Sequence, residues 1–341
     1  MSDSEYRRLV ELILTYKVSE VLRTTVELGL AEQLAEGRLT LHELASRCGA
    51  DPATLRSLLR VLLAIDVFDE HEASGDGSDS SYGLTQMGSL LVSNPFVGTP
   101  PAQLAASAVA DRNRLAWSRL TETVRTGQPV FTDLFAEPFY DFLDANEPDS
   151  ERFYERTSPG QHSYYLAVAW AYDFGSSTIV DVGGGYGGLL TAILDFHRDA
   201  RGILFDRPAV IDALEHRCLP DTLAARAELV PGDCTSWVPP GGDIYLVSSL
   251  IEDLGDADAV CLLGACRSAM PEHARLVVVE ELLDATTPVV FLLEDLQRQL
   301  VFGGQRRSIA DFEELLRRSG FALQAVHPTW TGVSILEAVP A

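Results

Sequence analysis

Lysine is almost missing from this sequence: Lys17 stands alone among 341 residues, so arginine carries nearly all of the positive charge. Twenty-six basic residues face 50 acidic ones, a formal net charge of −24. That balance repels phosphate backbones and anionic membrane surfaces, and it excludes nucleic acid as a partner. Long apolar runs are also missing. No stretch of about 18 uncharged apolar residues appears, so no membrane span is expected. The opening MSDSEYRRLV lacks the basic-then-apolar order of a signal peptide, which points to the cytoplasm. Cysteine is scarce: Cys48, Cys218, Cys234, Cys261 and Cys266 form no Cys-x-x-Cys pair, and no nearby histidine completes a zinc pattern. Free thiols and no metal are therefore expected.

What is present suits two domains, since 46% apolar residues over this length can fill two cores. The expected division is 1–165 and 166–341. Over residues 5–36 apolar side chains recur at helical spacing. Thr40 is placed to cap a short helix over Leu41–Arg47, and Asp51-Pro52 opens another through Ala64. Val67-Phe68 and Tyr82-Gly83-Leu84 flank a Gly/Ser/Asp-rich tip at 73–81 and read as paired strands. Helix, helix, strand, polar tip, strand is the order of a winged helix. DNA binding is disfavoured, because from Thr40 to Leu84 only Arg47, Arg56 and Arg60 are positive. Packing against another subunit is the better use of such a module. Residues 99–160 read as mostly helical, with Trp117 and Leu120 on one helix and Pro138 to Leu143 opening another.

From Thr178 strands and helices alternate, which implies a mainly parallel, doubly wound sheet, a Rossmann-like α/β domain. Its first strand, Ile179 to Val182, runs into Gly183-Gly184-Gly185-Tyr186-Gly187-Gly188 and then a helix. A glycine turn at that edge of a sheet is where α/β folds bind ligands. A dinucleotide, S-adenosylmethionine, or a purely structural turn would each account for the glycines. The acids favour S-adenosylmethionine. Asp206, beside Arg207 at the end of the next strand, can accept two ribose hydroxyls. Asp233, beside Cys234 after the third, can meet an adenine amino group. Glycines with acids at successive strand ends suit a nucleoside without phosphates.

Asp181 to Leu189, Phe205-Asp206-Arg207-Pro208, Gly232-Asp233, Arg267 with Met270-Pro271, and Val278-Val279-Glu280 together resemble the caffeate-type plant and polyketide-type bacterial O-methyltransferases. The resemblance covers nearly the whole chain. It implies a homodimer formed through the winged-helix module and a small-molecule pocket. It implies S-adenosylmethionine at the sheet edge, with Gly183 and Gly185 in the turn and Asp181 orienting its methionine end. The fold also serves relatives that hydroxylate, decarboxylate or catalyse pericyclic steps with the cofactor bound but not consumed.

Two departures stand out. The family's catalytic Leu-His-Asp-Trp reads Ile251-Glu252-Asp253-Leu254 here, so Glu252 replaces the histidine that takes the acceptor's proton. Arg306 replaces a glutamate that supports that histidine, while Glu280 keeps the other supporting acid. Ser248 falls near a lost lysine of the cofactor strand, and Thr157 near a methionine that packs on substrate. Glu252 can be a base, a substrate contact in a transfer that needs no base, or the mark of a lost methyl transfer. It can equally pair with Arg306. His162 is a candidate replacement base, Trp117 a candidate pocket wall, and Asp253 a candidate substrate contact. The expected activity is methylation of O, C or N on an aromatic or polyketide-like small molecule in natural-product biosynthesis. The alternative is a non-methylating pericyclase, hydroxylase or decarboxylase.

Overall fold

A computed structural model describes residues 3–71, 79–92, 111–146, 150, 153–154 and 162–341. The chain forms two compact units, Met1–Leu115 and Ala116–Ala341. The division falls earlier than the expected 165/166. The reason lies in helices α6 (Leu120–Thr126) and α7 (Phe131–Phe135), whose partner is α14 (Val289–Val301), deep in the second half of the chain. Phe131 and Val130 pack there against Leu300 and Val301.

The first unit contains α1 (Asp3–Glu27), α2 (Leu30–Ala35), β1 (Leu39–Thr40), α3 (Leu41–Cys48), α4 (Pro52–Ala64), β2 (Phe68–His71) and β3 (Ser81–Leu84). Thr40 and Glu43 form a reciprocal capping box at the start of α3, and Asp51 accepts from the Thr54 amide ahead of α4. Strand β3 lies between β1 and β2, antiparallel to both, which completes a winged helix. Residues 72–78 of the polar tip lie outside the described residues. Leu44, Leu59, Leu62 and Phe68 form the core. Helix α1 keeps Tyr6, Leu9, Leu12, Ile13 and Tyr16 exposed.

The second unit begins within α5 (Asp111–Ser118) and continues through α6, α7, α8 (Phe139–Ala145) and α9 (His162–Ala171). Trp117 and Leu120 do not share a helix, because α5 and α6 are separate around Arg119. The sheet then follows: β4 (Thr178–Val182), α10 (Gly188–Phe196), β5 (Arg201–Asp206), α11 (Pro208–Glu215), α12 (Asp221–Arg226), β6 (Ala227–Pro231), β7 (Ile244–Ser248), α13 (Asp256–Ala269), β8 (Arg275–Glu280), α14, α15 (Ile309–Arg318), β9 (Phe321–Pro328) and β10 (Ser334–Pro340).

The strand order is β6-β5-β4-β7-β8-β10-β9. The pairs from β6 to β8 are parallel, and β10 runs antiparallel between β8 and β9. Alternate residues of the central strands enter different cores. Val180, Val182 and Val247 join one cluster, while Ile179, Ile244 and Leu246 join the other. Burial on both faces explains why these strands read as continuous apolar runs. The order reverses beside β4, and the β4 and β7 chain ends open a crevice there. Among the described residues no helix is long and apolar enough to cross a membrane.

Candidate active site

The turn after β4 is built for close approach. Gly183 and Gly185 have φ of +71° and +56°, a region that costs an L side chain about 1–2 kcal/mol. At Gly184 a Cβ would stand 2.3 Å from Leu204 Cδ1 and 2.6 Å from Asp181 Oδ2. The turn opens onto a cavity of about 630 Å³, a size common for small-molecule sites. Asp181, Gly183–Gly185, Asp206, Arg207, Asp233, Cys234, Ser248, Ser249 and Asp253 line it, together with an aromatic wall of Tyr140, Phe153, Tyr154, Tyr165 and Tyr186.

Its acids are in different states. Asp206 accepts from the Gly185 amide and the Arg207 amide, each at 2.7 Å, which ties β5 to the glycine turn. Burial raises its carboxyl to about 6 against those bonds. Asp181 Oδ2 is buried without a hydrogen-bond partner, and burial together with Asp206 raises this carboxyl to about 7. Asp233 accepts from the Thr235 amide and hydroxyl and from the Ser236 hydroxyl, and the Thr235 hydroxyl leads the interactions that lower its carboxyl. Burial pushes the Cys234 thiol up to about 12, so it stays protonated. The Tyr164 hydroxyl bonds Ser248 Oγ and lies 3.3 Å from Ser249 Oγ. Arg207 is claimed by Asp141 and Asp144.

At the far side, a short turn Ile251–Asp253 follows β7. Glu280 anchors it through Oε1, which accepts from the amides of Ile251 at 3.0 Å and Glu252 at 3.3 Å. Glu252 is buried between two guanidiniums: Arg298 Nη2 donates to its Oε1, and Arg306 Nε lies 3.3 Å from its Oε2. Arg306 also reaches Glu281 at 2.5 Å and Glu294 at 3.1 Å. Asp253 differs from its neighbour. It lines the cavity, accepts a 2.6 Å hydrogen bond from the Tyr140 hydroxyl and lies 3.4 Å from Arg298 Nε. Burial raises its carboxyl, Arg298 opposes the shift, and Glu252 adds to it.

Residues 117–322 match a family model described as an O-methyltransferase domain, and residues 10–94 match an O-methyltransferase dimerisation domain. The chain belongs to the O-methyltransferase family. This methyltransferase is 34% identical to phenazine O-methyltransferase PhzM of Lysobacter antibioticus over 97% of its own chain and 95% of that protein. Its fold matches the mitomycin 7-O-methyltransferase MmcR with a TM-score of 0.90, 31% identity and coverage of 99% and 98% of the two chains. A second match is NcsB1 of neocarzinostatin biosynthesis in complex with S-adenosylmethionine and 2-hydroxy-5-methyl naphthoic acid. Its TM-score is 0.82, with 31% identity and coverage of 95% and 96%. S-adenosylmethionine is the cofactor of this methyltransferase, and the cavity suits it: Asp181 leaves a buried carboxylate oxygen without a hydrogen-bond partner, and the glycine turn, Asp206 and Asp233 line the same space with no lysine to meet a phosphate.

The methyltransferase's eight expected cofactor residues converge. Asp181, Gly183, Gly185, Asp206, Arg207, Asp233, Cys234 and Ser248 all line one cavity. Glu252, Glu280 and Arg306 do not line it; they form the polar layer beneath Asp253. Trp117 lies away from it as well, donating to Gln297 and packing on the Val130–Phe131 cluster. An amphipathic indole with its N–H satisfied belongs to such a core. His162 opens α9, but its side chain, like the whole of Thr157, lies outside the described residues. Sequence reasoning missed Tyr140 and Arg298. Tyr140 sits in the aromatic-acidic run Phe139-Tyr140-Asp141, a faint signal. Arg298 carried none, because α14 itself was not foreseen.

Proposed function

We propose that the enzyme methylates a hydroxyl on a polycyclic or polyketide-like aromatic molecule in natural-product biosynthesis, with S-adenosylmethionine as donor. The observation that carries this reading is one cavity joining the glycine turn to an aromatic wall and to the buried Asp253. Asp181 is assigned to the donor's ammonium group, Asp206 to its ribose hydroxyls, and the Asp233–Cys234 loop to its adenine. When bound, the sulfonium supplies an electrophilic methyl group. The protein's own part is alignment: holding two reactants in line can remove several kcal/mol of barrier. Tyr140, Phe153 and Tyr154 offer flat apolar surface to an aromatic acceptor. The phenazine and naphthoic acid named for the relatives are molecules of that shape.

The reading includes a homodimer built through α1, whose exposed leucines, isoleucine and tyrosines form an apolar face on the dimerisation module. It includes the cytoplasm, which agrees with five cysteines that are all free. Incubation with methyl-labelled S-adenosylmethionine and a panel of hydroxyphenazines and hydroxynaphthoic acids tests it. Labelled product and one S-adenosylhomocysteine per turnover are expected. Product formed while the cofactor stays intact would replace this reading by a non-methylating one.

A further inference from the structure

With glutamate at the family's histidine position, the acceptor's proton needs another destination. We propose that Asp253, oriented by the Tyr140 hydroxyl, takes that proton, and that Glu252 serves only to position the turn that carries it. The inference rests on the methyl-transfer reading.

The carboxylates near the cavity can be sorted by what they already do. Asp141 and Asp144 hold Arg207. Asp233 organises its own loop through Thr235 and Ser236. Asp206 clamps the glycine turn, and Asp181 lies beneath that turn. Asp258 is exposed in the first turn of α13. Glu252 is spent on Arg298 and Arg306 and does not line the cavity. Asp253 is buried, lines the cavity and accepts from the Tyr140 hydroxyl of the aromatic wall, while the other two buried carboxyls of the cavity, Asp181 and Asp206, belong to the glycine turn. Among the described residues no histidine lines the cavity; the side chain of His162 lies outside them.

Its surroundings suit the task. The groups facing Asp253 are Tyr140 from α8, Arg298 from α14, Arg306 beyond α14, Glu252 from its own turn and Glu280 from β8. Burial and the Glu252 charge make the carboxyl a stronger base than an exposed aspartate. Each unit of rise narrows tenfold the gap to a phenol near pKa 10. Arg298 and Tyr140 act the other way and keep the carboxylate form accessible at neutral pH. In the step, the acceptor oxygen bonds the methyl carbon while the sulfur–methyl bond breaks, and the sulfur keeps that electron pair. The acceptor's O–H proton passes to an Asp253 oxygen, and the carboxyl later returns it to solvent.

The test compares wild type with Asp253→Asn, Asp253→Glu and Tyr140→Phe, using whichever hydroxyphenazine or hydroxynaphthoic acid the wild type turns over. Asp253→Asn is expected to lower kcat by about 10²–10⁴-fold, the range for a general base. It should leave S-adenosylmethionine affinity by calorimetry within about twofold, as a group away from the donor's contacts would. It should also erase the neutral-pH rising limb of kcat/KM, and Asp253→Glu should recover part of the rate. Tyr140→Phe should move that limb to higher pH, because the Tyr140 bond lowers the Asp253 pKa. Without turnover, infrared titration of the cofactor-free protein should show a protonated-carboxyl band in wild type that Asp253→Asn lacks. Asp253→Asn turning over like wild type, with its pH limb unmoved, overturns the role of Asp253 and leaves methyl transfer standing. A wild type that binds S-adenosylmethionine but methylates no acceptor overturns both.

Discussion

Arg306 Nε lies 3.3 Å from Glu252 Oε2, so the two residues that the sequence pattern singled out as departures are partners in space. Arg298 and Arg306 take one carboxylate oxygen each, and Glu252 does not line the cavity, so it is not placed to meet an acceptor there.

Glu252→Gln should therefore be costly for stability and mild for chemistry. Removing one member of a buried charge pair costs about 3–5 kcal/mol. Glu281 and Glu294 still serve Arg306, so about 3 kcal/mol is expected by urea denaturation. The folded variant should turn over within a few-fold of wild type. Its rising pH limb should move to lower pH, because the Glu252 charge raises the Asp253 pKa. A folded variant inactive at every pH would return the base role to Glu252.

Asp181 predicts how cofactor affinity depends on pH. Its carboxyl is raised to about 7 from an ordinary value near 3.8. A raised acid contributes stability below its unfolded pKa and loses it as pH climbs through 7. The cofactor-free protein thus carries a penalty above neutrality, which a bound ammonium offsets. The gain in Tm on adding S-adenosylmethionine should be larger at pH 8 than at pH 6. Calorimetry in buffers of different ionisation heat should show proton release on binding near pH 6.5, and Asp181→Asn should lose both effects.

Gly184→Ala tests how far cofactor binding depends on the packing of the glycine turn over Asp181. The added methyl would meet Leu204 and the Asp181 carboxylate, so one of them must move. An affinity loss of about 100-fold, or about 2.7 kcal/mol, is expected by calorimetry with the circular dichroism unchanged. Unchanged affinity would separate the turn from the cofactor.

Leu12 and Ile13 are 63% and 61% exposed on α1. Leu12→Glu with Ile13→Glu should convert a dimer to monomers in sedimentation velocity. A double variant that remains dimeric would remove this face of α1 from the interface.

The local pattern of the sequence determined much of this protein. Thr40 and Asp51 capped the helices assigned to them, because capping is settled within four residues. Strands buried on both faces declared themselves as apolar runs, and glycines marked the turn at Gly183–Gly185 because only they tolerate its dihedrals cheaply. The acids at Asp181, Asp206 and Asp233 lay at strand ends, and a parallel sheet necessarily gathers strand ends at one edge. Tertiary structure decided the rest. The boundary moved from 165/166 to 115/116 because helices before the sheet pack on α14, a partner some 160 residues later. Trp117 became core for the same reason. The states of Glu252 and Asp253, adjacent in the chain, were beyond any local pattern. One side chain turns into the Arg298–Arg306 layer and the other into the cavity, and only the packing of α8 and α14 around that turn sets which carboxylate is neutralised and which is left to act.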